Sequence, residues 1–420
     1  MVVNQLKAGA VLNYVVIGLN SLVGLLYTPY MLRMMGQSEY GLYSLVASVI
    51  AYLTIMDFGF GNAIIRYTAK FRAEGRQQEQ YAMFGMFLIL YSVIGVLAFG
   101  AGLGLYFNVE ALFGDTMTVV EVERAKVLMI ILIFNLAVTF PLSIFGAVVT
   151  AYEDFIFQKV VQIVRILLNT VVMICLLKMG YRAVAMVVVQ TLFNLVTLLL
   201  NYYYCRRKIG IRIVFGRFRW GFLREVTVYS FWIFLNAIMD RIYWGTGQFV
   251  LGATVGTAAV AVFAVAIYLK DMYYSFSTSI SGVFLPKVTA MITTGASEQT
   301  VSDLFIRIGR IQYIVLAYVL SAFILLGRPF IALWAGEGYD ETYVIALMFF
   351  ASTLIPMIQN LGITILQARN EIQVDPYSGG FRGESGCGHP GSQTVRSFRC
   401  GGGNFRSGRA GTWHPVEYLL

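Results

Sequence analysis

Two histidines, four cysteines and eight prolines are all that this 420-residue chain holds of those residue types, and only 13% of it is charged. Each shortage excludes something. Both histidines, His389 and His414, lie near the C-terminus, so no imidazole serves the apolar body of the chain as a base or metal ligand. Cys175, Cys205, Cys387 and Cys400 are scattered, which gives neither a disulfide framework nor a paired metal spacing. The phosphate loop Gly-x-x-x-x-Gly-Lys of ATP-driven machines is missing, as is an Asp-x-Asp of the kind sugar-nucleotide transferases use. An enzyme is therefore not expected, and nothing calls for a cofactor or a metal.

The scarcity of charge has a second meaning. A soluble domain carries about 25% charged residues, whereas this chain is 58% hydrophobic, more than one core can hide from water. Apolar runs of 18 or more residues recur, each long enough to cross roughly 30 Å of hydrocarbon. They predict spans at 10–32, 41–64, 81–107, 127–150, 156–178, 182–204, 225–250, 258–284, 311–334 and 342–366. All should be helices, because a backbone in hydrocarbon must satisfy its own hydrogen bonds and the short alternation of a membrane barrel is absent. The first run is too long for a signal-peptide core and ends in Thr28-Pro29-Tyr30, so it is read as a retained span.

The net charge of +9 is not a nucleic-acid signature, because its basic residues sit in short loops between spans. With the N-terminus in the cytoplasm, about seventeen Lys and Arg fall in cytoplasmic loops, against Arg33, Arg124, Lys126, Lys178, Arg182 and Arg328 opposite, which sets an N-in orientation. The basic connection 205–224 interleaves Ile, Val, Phe and Trp220 with arginines. It reads either as an amphipathic segment on the anionic lipid bilayer or as a solvated linker.

An internal repeat organises the spans. Gly36-Gln-Ser-Glu-Tyr-Gly-Leu-Tyr43 is answered by Gly256-Thr-Ala-Ala-Val-Ala-Val-Phe263, and Arg66-Tyr-Thr-Ala69 by Lys287-Val-Thr-Ala290. Pro141, Gly146 and Ala151 correspond to Pro356, Gly362 and Ala368. Six spans separate the copies, so they face the same way and form parallel repeats about an axis along the membrane normal, with a site at the seam. The expected divisions are an N-terminal lobe 1–204, a linker 205–224, a C-terminal lobe 225–371 and a tail 372–420. The repeat calls for an eleventh span after Ile372, but a Gly-, Ser- and Arg-rich tail follows. That tail is expected to be disordered, whether natural or left by a frameshift or truncation.

Charges at span depth are costly and mark pathways or paired sites. The candidates are Asp57, Arg165, Asp240, Arg241, Lys270 and Asp271. Asp57 stands in Asp57-Phe-Gly-Phe-Gly-Asn62, where two glycines loosen the helix, and is either a ligand for a cation or substrate or an interhelical buttress. Asp240 and Arg241, being adjacent, point about 100° apart, as do Lys270 and Asp271, so either a crossed pairing forms between the two helices, which is geometrically possible, or Arg241 and Lys270 face a cavity and attract an anion. Asn13, Asn20, Asn135, Asn169, Gln190, Asn194 and Asn236 read mostly as interhelical hydrogen-bond glue, Gly100 with Gly104 and Gly252 with Gly256 as packing motifs, and Tyr202–Tyr204 and Tyr273-Tyr274 as interfacial belts.

Gly36 to Tyr43, followed by Asp57-Phe-Gly-Phe-Gly and Arg66-Tyr-Thr-Ala-Lys70, resembles the N-terminal signature of polysaccharide-export flippases, the O-antigen flippase type within the multidrug/oligosaccharidyl-lipid/polysaccharide superfamily. The resemblance covers about residues 1–371. It implies an all-α bundle of twelve to fourteen helices in the bacterial inner membrane, of which about ten are found here, around a V-shaped cavity. It also implies transfer of an undecaprenyl-diphosphate-linked oligosaccharide to the outer leaflet, with polysaccharide polymerase machinery as a partner. Cavity candidates on this reading are Arg33, Asn62 and Arg66 together with the buried charges already named. A cation-coupled multidrug antiporter of the same superfamily is the alternative, with Asp57 binding the coupling ion. A membrane-embedded polymerase would need a large catalytic outer loop, and the longest, about 108–126, is short and acidic.

Overall fold

The computed structural model describes residues 5–216, 220–294, 297–362 and 365. Every regular element among these is helical. Nine helical stretches are long and apolar enough to cross a membrane, and a tenth arises when Trp220–Val228 and Ile233–Thr254, bent by 50°, count as one crossing. The chain is a multi-pass membrane protein, with one crossing for each apolar run. Residues 363, 364 and 366 of the last expected span, Arg217, Arg219 and Arg369, and the whole tail 372–420 with its cysteines and histidines lie outside the described residues.

In chain order the helices are α1 (Gln5–Met35), α2 (Gln37–Leu53), α3 (Phe60–Ala73), α4 (Gln77–Phe107), the short α5 (Val109–Phe113), α6 (Val119–Ala151), α7 (Phe155–Lys178), α8 (Ala183–Tyr204), α9 (Trp220–Thr254), α10 (Thr257–Thr293), α11 (Glu298–Trp334) and α12 (Glu341–Ile358). The turns at Gly36, 108–118, 179–182, 255–256 and 335–340 lie at one end of the bundle, called the far end, and the start of α1 lies at the other, the near end. Large apolar side chains stand free on the flanks, with Leu325 79% and Val96 71% exposed. In water such surface costs about 25 cal/mol per Å²; against lipid tails it costs almost nothing.

The second crossing is α2 and α3 together, broken by a tight turn at Thr54–Asp57 and two left-handed residues, Phe58 at φ 51° and Gly59 at φ 72°. An aromatic residue rarely adopts that conformation. The break is legible in the Asp57-Phe-Gly-Phe-Gly stretch.

The repeat has a structural counterpart. Gly36 (φ 80°) and Gly256 (φ 117°) both make the left-handed turn into the next helix, α2 and α10 respectively. Five residues on, Gly41 of α2 meets the backbone of α10 at Thr257 and Ala261 so closely that a Cβ at Gly41 would collide with the Thr257 carbonyl. Positions 41 and 261 are equivalent in the repeat, and equivalent positions touch where a pseudo-two-fold axis passes between two copies.

Several expectations are corrected. Gly100 and Gly104 face open space rather than a packed helix; on α4 it is Gly95, against the Ala137 carbonyl of α6, and Gly102, against Ile133, that let the helices approach. Gly252 does pack, against Leu45. Tyr273 is no interfacial residue: it is 1% exposed, stacks on Phe350 and donates to the Leu316 carbonyl. The basic linker runs through a wide turn at Cys205–Ile209 into an extended strap, with Ile211 buried, Arg212 out and Ile213 packed inward. The Val214 amide donates to the Tyr81 carbonyl of α4 at 3.3 Å. The strap is thus fixed to the protein itself, because the period-two pattern gives it one apolar edge.

Candidate functional site

At the far end the first six crossings and the last four are joined by a polar seam. Glu121, at the third position of α6, accepts from the Thr118 amide (2.9 Å) while its own amide donates to the Thr118 hydroxyl (3.3 Å), which is a capping box. That hydroxyl also donates to the carboxylate (2.8 Å), whose other oxygen accepts from Ser38 (2.5 Å) on α2 and Thr257 (2.8 Å) on α10. One carboxylate therefore ties three helix N-termini together, where the helix dipoles favour a negative charge. Around it Thr116 donates to the Gly252 carbonyl (2.7 Å), Gln37 to the Gly338 carbonyl (2.8 Å) and Trp334 to the Leu25 carbonyl (2.9 Å). Arg124 pairs with the buried Glu39 at 2.5 Å. Arg33, expected in a cavity, instead donates to the Leu333 carbonyl at the end of α11 and belongs to the seam. Short loops bring these groups together across up to three hundred positions of sequence, and a single sequence carries no signal for that.

Below the seam three cations share one level. Arg165 lies thirteen residues from the far end of α7, Arg241 thirteen from that of α9 and Lys270 thirteen from that of α10, or about 20 Å down each helix at 1.5 Å per residue. Arg165 is half-buried and Arg241 exposed, and neither has a hydrogen-bond or ion-pair partner among the described residues. Lys270 is 7% exposed, lies 3.4 Å from the centre of the Trp244 ring and pairs with Asp271 at 2.8 Å. The crossed pairing, one of the two alternatives for α9 and α10, is therefore not formed among the described residues. The flexible lysine stem lets its ammonium turn back to the next residue, which an argument from Cβ directions alone overlooks. Asp240 stays exposed beside Arg241.

Asp57 has a structural task. It accepts from the Tyr91 hydroxyl at 2.5 Å and from the amides of Gly59 and Gly61, so it closes the broken span and caps α3. Asp57→Ala is expected to cost about 1 kcal/mol and to lower the melting temperature in detergent by about 2 °C, while Asp57→Asn, which keeps an acceptor, leaves it near the starting value. Asn62 sits exposed one turn on, and Arg66 is exposed toward the near end of α3. Neither joins the level of the three cations.

Of the expected polar glue, Asn194 donates to Asn135 and to the Thr139 hydroxyl at 2.8 Å each, Lys159 donates to Asn13 at 2.7 Å, and Gln190 bonds Tyr43 at 3.1 Å. Between the seam and the cations lies a cavity of about 190 Å³ lined by Tyr27, Tyr40, Tyr43, Asn169, Gln190 and Tyr268, with Thr28 and three methionines completing its wall. A second cleft, about 350 Å³ at the near end, holds Lys70 and Arg76. Arg76 is already paired with Glu79 (2.6 Å) and Glu74 (2.8 Å), which push its pKa up, so this cleft keeps little free positive charge. Among the described residues no group of His, Cys, Asp and Glu is placed to hold a metal.

Comparison with known proteins gives the family. The model of the polysaccharide biosynthesis protein family matches residues 6–294. An uncharacterized membrane protein, EpsK of Bacillus subtilis (strain 168), is 18% identical over 319 residues, 74% of this chain, which spans 62% of that relative's length. Among solved structures, a multidrug resistance MATE family transporter of the MOP superfamily in its outward-facing conformation has a TM-score of 0.61 at 14% identity, covering 87% of this chain and 82% of that one. A MOP superfamily transporter from Pyrococcus furiosus, described as having a binding pocket of reversed polarity, has a TM-score of 0.52 at 12% identity, covering 88% and 87%. At such identities the likeness is one of fold.

Proposed function

This chain belongs to the polysaccharide biosynthesis protein family, and from that footing we propose that it is a membrane flippase, not an enzyme, carrying an undecaprenyl-diphosphate-linked oligosaccharide across a bacterial cytoplasmic membrane. The far end faces outward and the N-terminus lies in the cytoplasm, as the excess of Lys and Arg at the near end favours. Two lobes, 1–204 and 225–371, rock about the seam, which is bolted shut outside. The observation that carries the reading is the common level of Arg165, Arg241 and Lys270, two of them without an anionic partner among the described residues.

Sugar and diphosphate cannot enter hydrocarbon unaided, whereas a prenyl tail stays in lipid beside an open seam. Cations in the gap replace water around the diphosphate, and the low dielectric makes each of them count. Outward movement of two negative charges against an inside-negative potential gains roughly 4 to 5 kcal/mol per 100 mV, so export needs no ATP. The fold is shared with multidrug transporters, but a cationic drug would be repelled from this level.

The test is a deletion strain complemented with the chain. Loss of the gene is expected to build up lipid-linked oligosaccharide in the inner leaflet, the wild-type chain to clear it, and Arg165→Ala combined with Lys270→Ala to slow export at least about tenfold, since each removes a charge contact of roughly 1.5 kcal/mol or more. Normal surface glycan in the deletion strain would count against the flippase, and drug resistance that rises on removing the cations would favour an antiporter.

A further inference from the structure

The cavity between the seam and the cations is too small for a chain of sugars and is lined by hydroxyls and amides. At about 190 Å³ it holds roughly six waters at ~30 Å³ each, the size of one pyranose ring, and falls short of the roughly 300 Å³ at which pockets for drug-sized ligands begin. No carboxylate, ammonium or guanidinium lines it. Two of its polar atoms, the Tyr27 hydroxyl and Asn169 Oδ1, are buried without a hydrogen-bond partner among the described residues. Buried polar groups normally have partners, so a ligand with hydroxyls resolves what the protein leaves open. The remaining wall is rigid: Tyr43 is held by Gln190, Tyr268 bonds Thr28 and stacks on Trp334 at 5.9 Å, and Trp334 is anchored on the Leu25 carbonyl.

We propose that this cavity is a binding subsite for a single uncharged monosaccharide unit of the transported head group, with Tyr27 and Asn169 as the hydrogen-bonding residues and Tyr268 as an aromatic wall. It rests on the flippase reading, and position supports it. Tyr27 lies eight residues from the far end of α1, Asn169 nine from that of α7 and Gln190 seven from that of α8, about 10 to 14 Å down. The subsite is thus nearer the exit than the cations by the length of one ring or so. A diphosphate at the cations presents its glycan to this wall while the seam is shut. An acidic sugar finds no counter-charge there and is disfavoured.

Two arms test this on the full-length chain in nanodiscs and in cells. Glucose, galactose and N-acetylglucosamine at millimolar concentration serve as probes, with glucuronate as the charged control and Trp334 emission as the reporter, its signal identified by loss in Trp334→Phe. At least one neutral sugar is expected to give a saturable change that glucuronate does not, and Asn169→Leu and Tyr27→Phe are each expected to weaken it tenfold or more without lowering the melting temperature. No neutral-sugar response, an equal response to glucuronate, or an unchanged response in both variants would overturn the subsite. In the deletion strain, wild-type complementation with export slowed at least fivefold by the double variant Asn169→Leu, Tyr27→Phe supports it. Complementation equal to wild type by that double variant sinks the subsite while leaving the flippase standing, and failure of the wild-type chain itself sinks the flippase reading.

Discussion

Gly41→Val is expected to prevent closure of the far end and to abolish export while leaving the chain folded in the membrane. The obstacle is backbone: a Cβ at position 41 meets the Thr257 carbonyl and, at 3.2 Å, the Ala261 amide nitrogen, and neither can rotate away. Overpacking against flexible side chains already costs typically 1–3 kcal/mol. A displacement of about 3 kcal/mol shifts a two-state equilibrium roughly 150-fold, enough to empty a modestly favoured closed state. A cysteine placed at Leu42, which is fully buried in the seam, reports the result. It should be unreactive toward a membrane-impermeant thiol reagent in the otherwise unchanged chain and labelled rapidly in the Gly41→Val background. Slow labelling in both would mean that α2 and α10 stay together and that the close approach is dispensable.

Glu121→Ala is expected to open the same seam by the opposite route, removing attraction instead of adding a clash. Its carboxylate accepts four hydrogen bonds, two of which hold Ser38 and Thr257 across three helices. A hydrogen bond to a charged group is worth about 1.5 to 3 kcal/mol, so losing the two cross-helix bonds costs about 3 kcal/mol or more, and the capping of α6 goes with them. The labelling rate at position 42 should rise roughly a hundredfold, and Glu121→Gln, which keeps one acceptor oxygen, should fall between. A variant whose labelling stays at the starting rate would show that the surrounding bonds from Thr116, Gln37 and Trp334 suffice without it.

The sequence made the crossings visible because lipid imposes a one-dimensional rule: about twenty apolar residues per passage, whatever the neighbours. It also marked the glycines at 36 and 256 as landmarks of the repeat and the two glycines after Asp57 as loosening the helix, and the structure turns these into left-handed residues and a break because they depend on local backbone sterics. What it hid depends on which helices adjoin. Glu121, Ser38 and Thr257 are unremarkable alone, and nothing in a single chain announces that they meet. Lys270 and Asp271 were misread because the argument from helix geometry stops at Cβ while a lysine reaches beyond it. Gly100 and Gly104 carry the small-residue spacing yet face open space, because the spacing says that a close approach is permitted and not that a neighbour is there. Arg165 and Arg241 stand out in the sequence as charges within apolar runs, but their common level with Lys270 emerged only once helix ends were placed.

The brevity of the far-end turns has a consequence for anyone seeking to grip the molecule from that side. A single glycine joins α1 to α2, two residues join α9 to α10, four join α7 to α8 and six join α11 to α12, so among the described residues the stretch from Asn108 to Thr118, which includes α5, is the longest connection on that side. Antibodies and proteases recognise extended or protruding polypeptide. An antibody fragment raised against that face should therefore favour this stretch, and limited proteolysis from that compartment should nick the chain there or in the turn at 335–340.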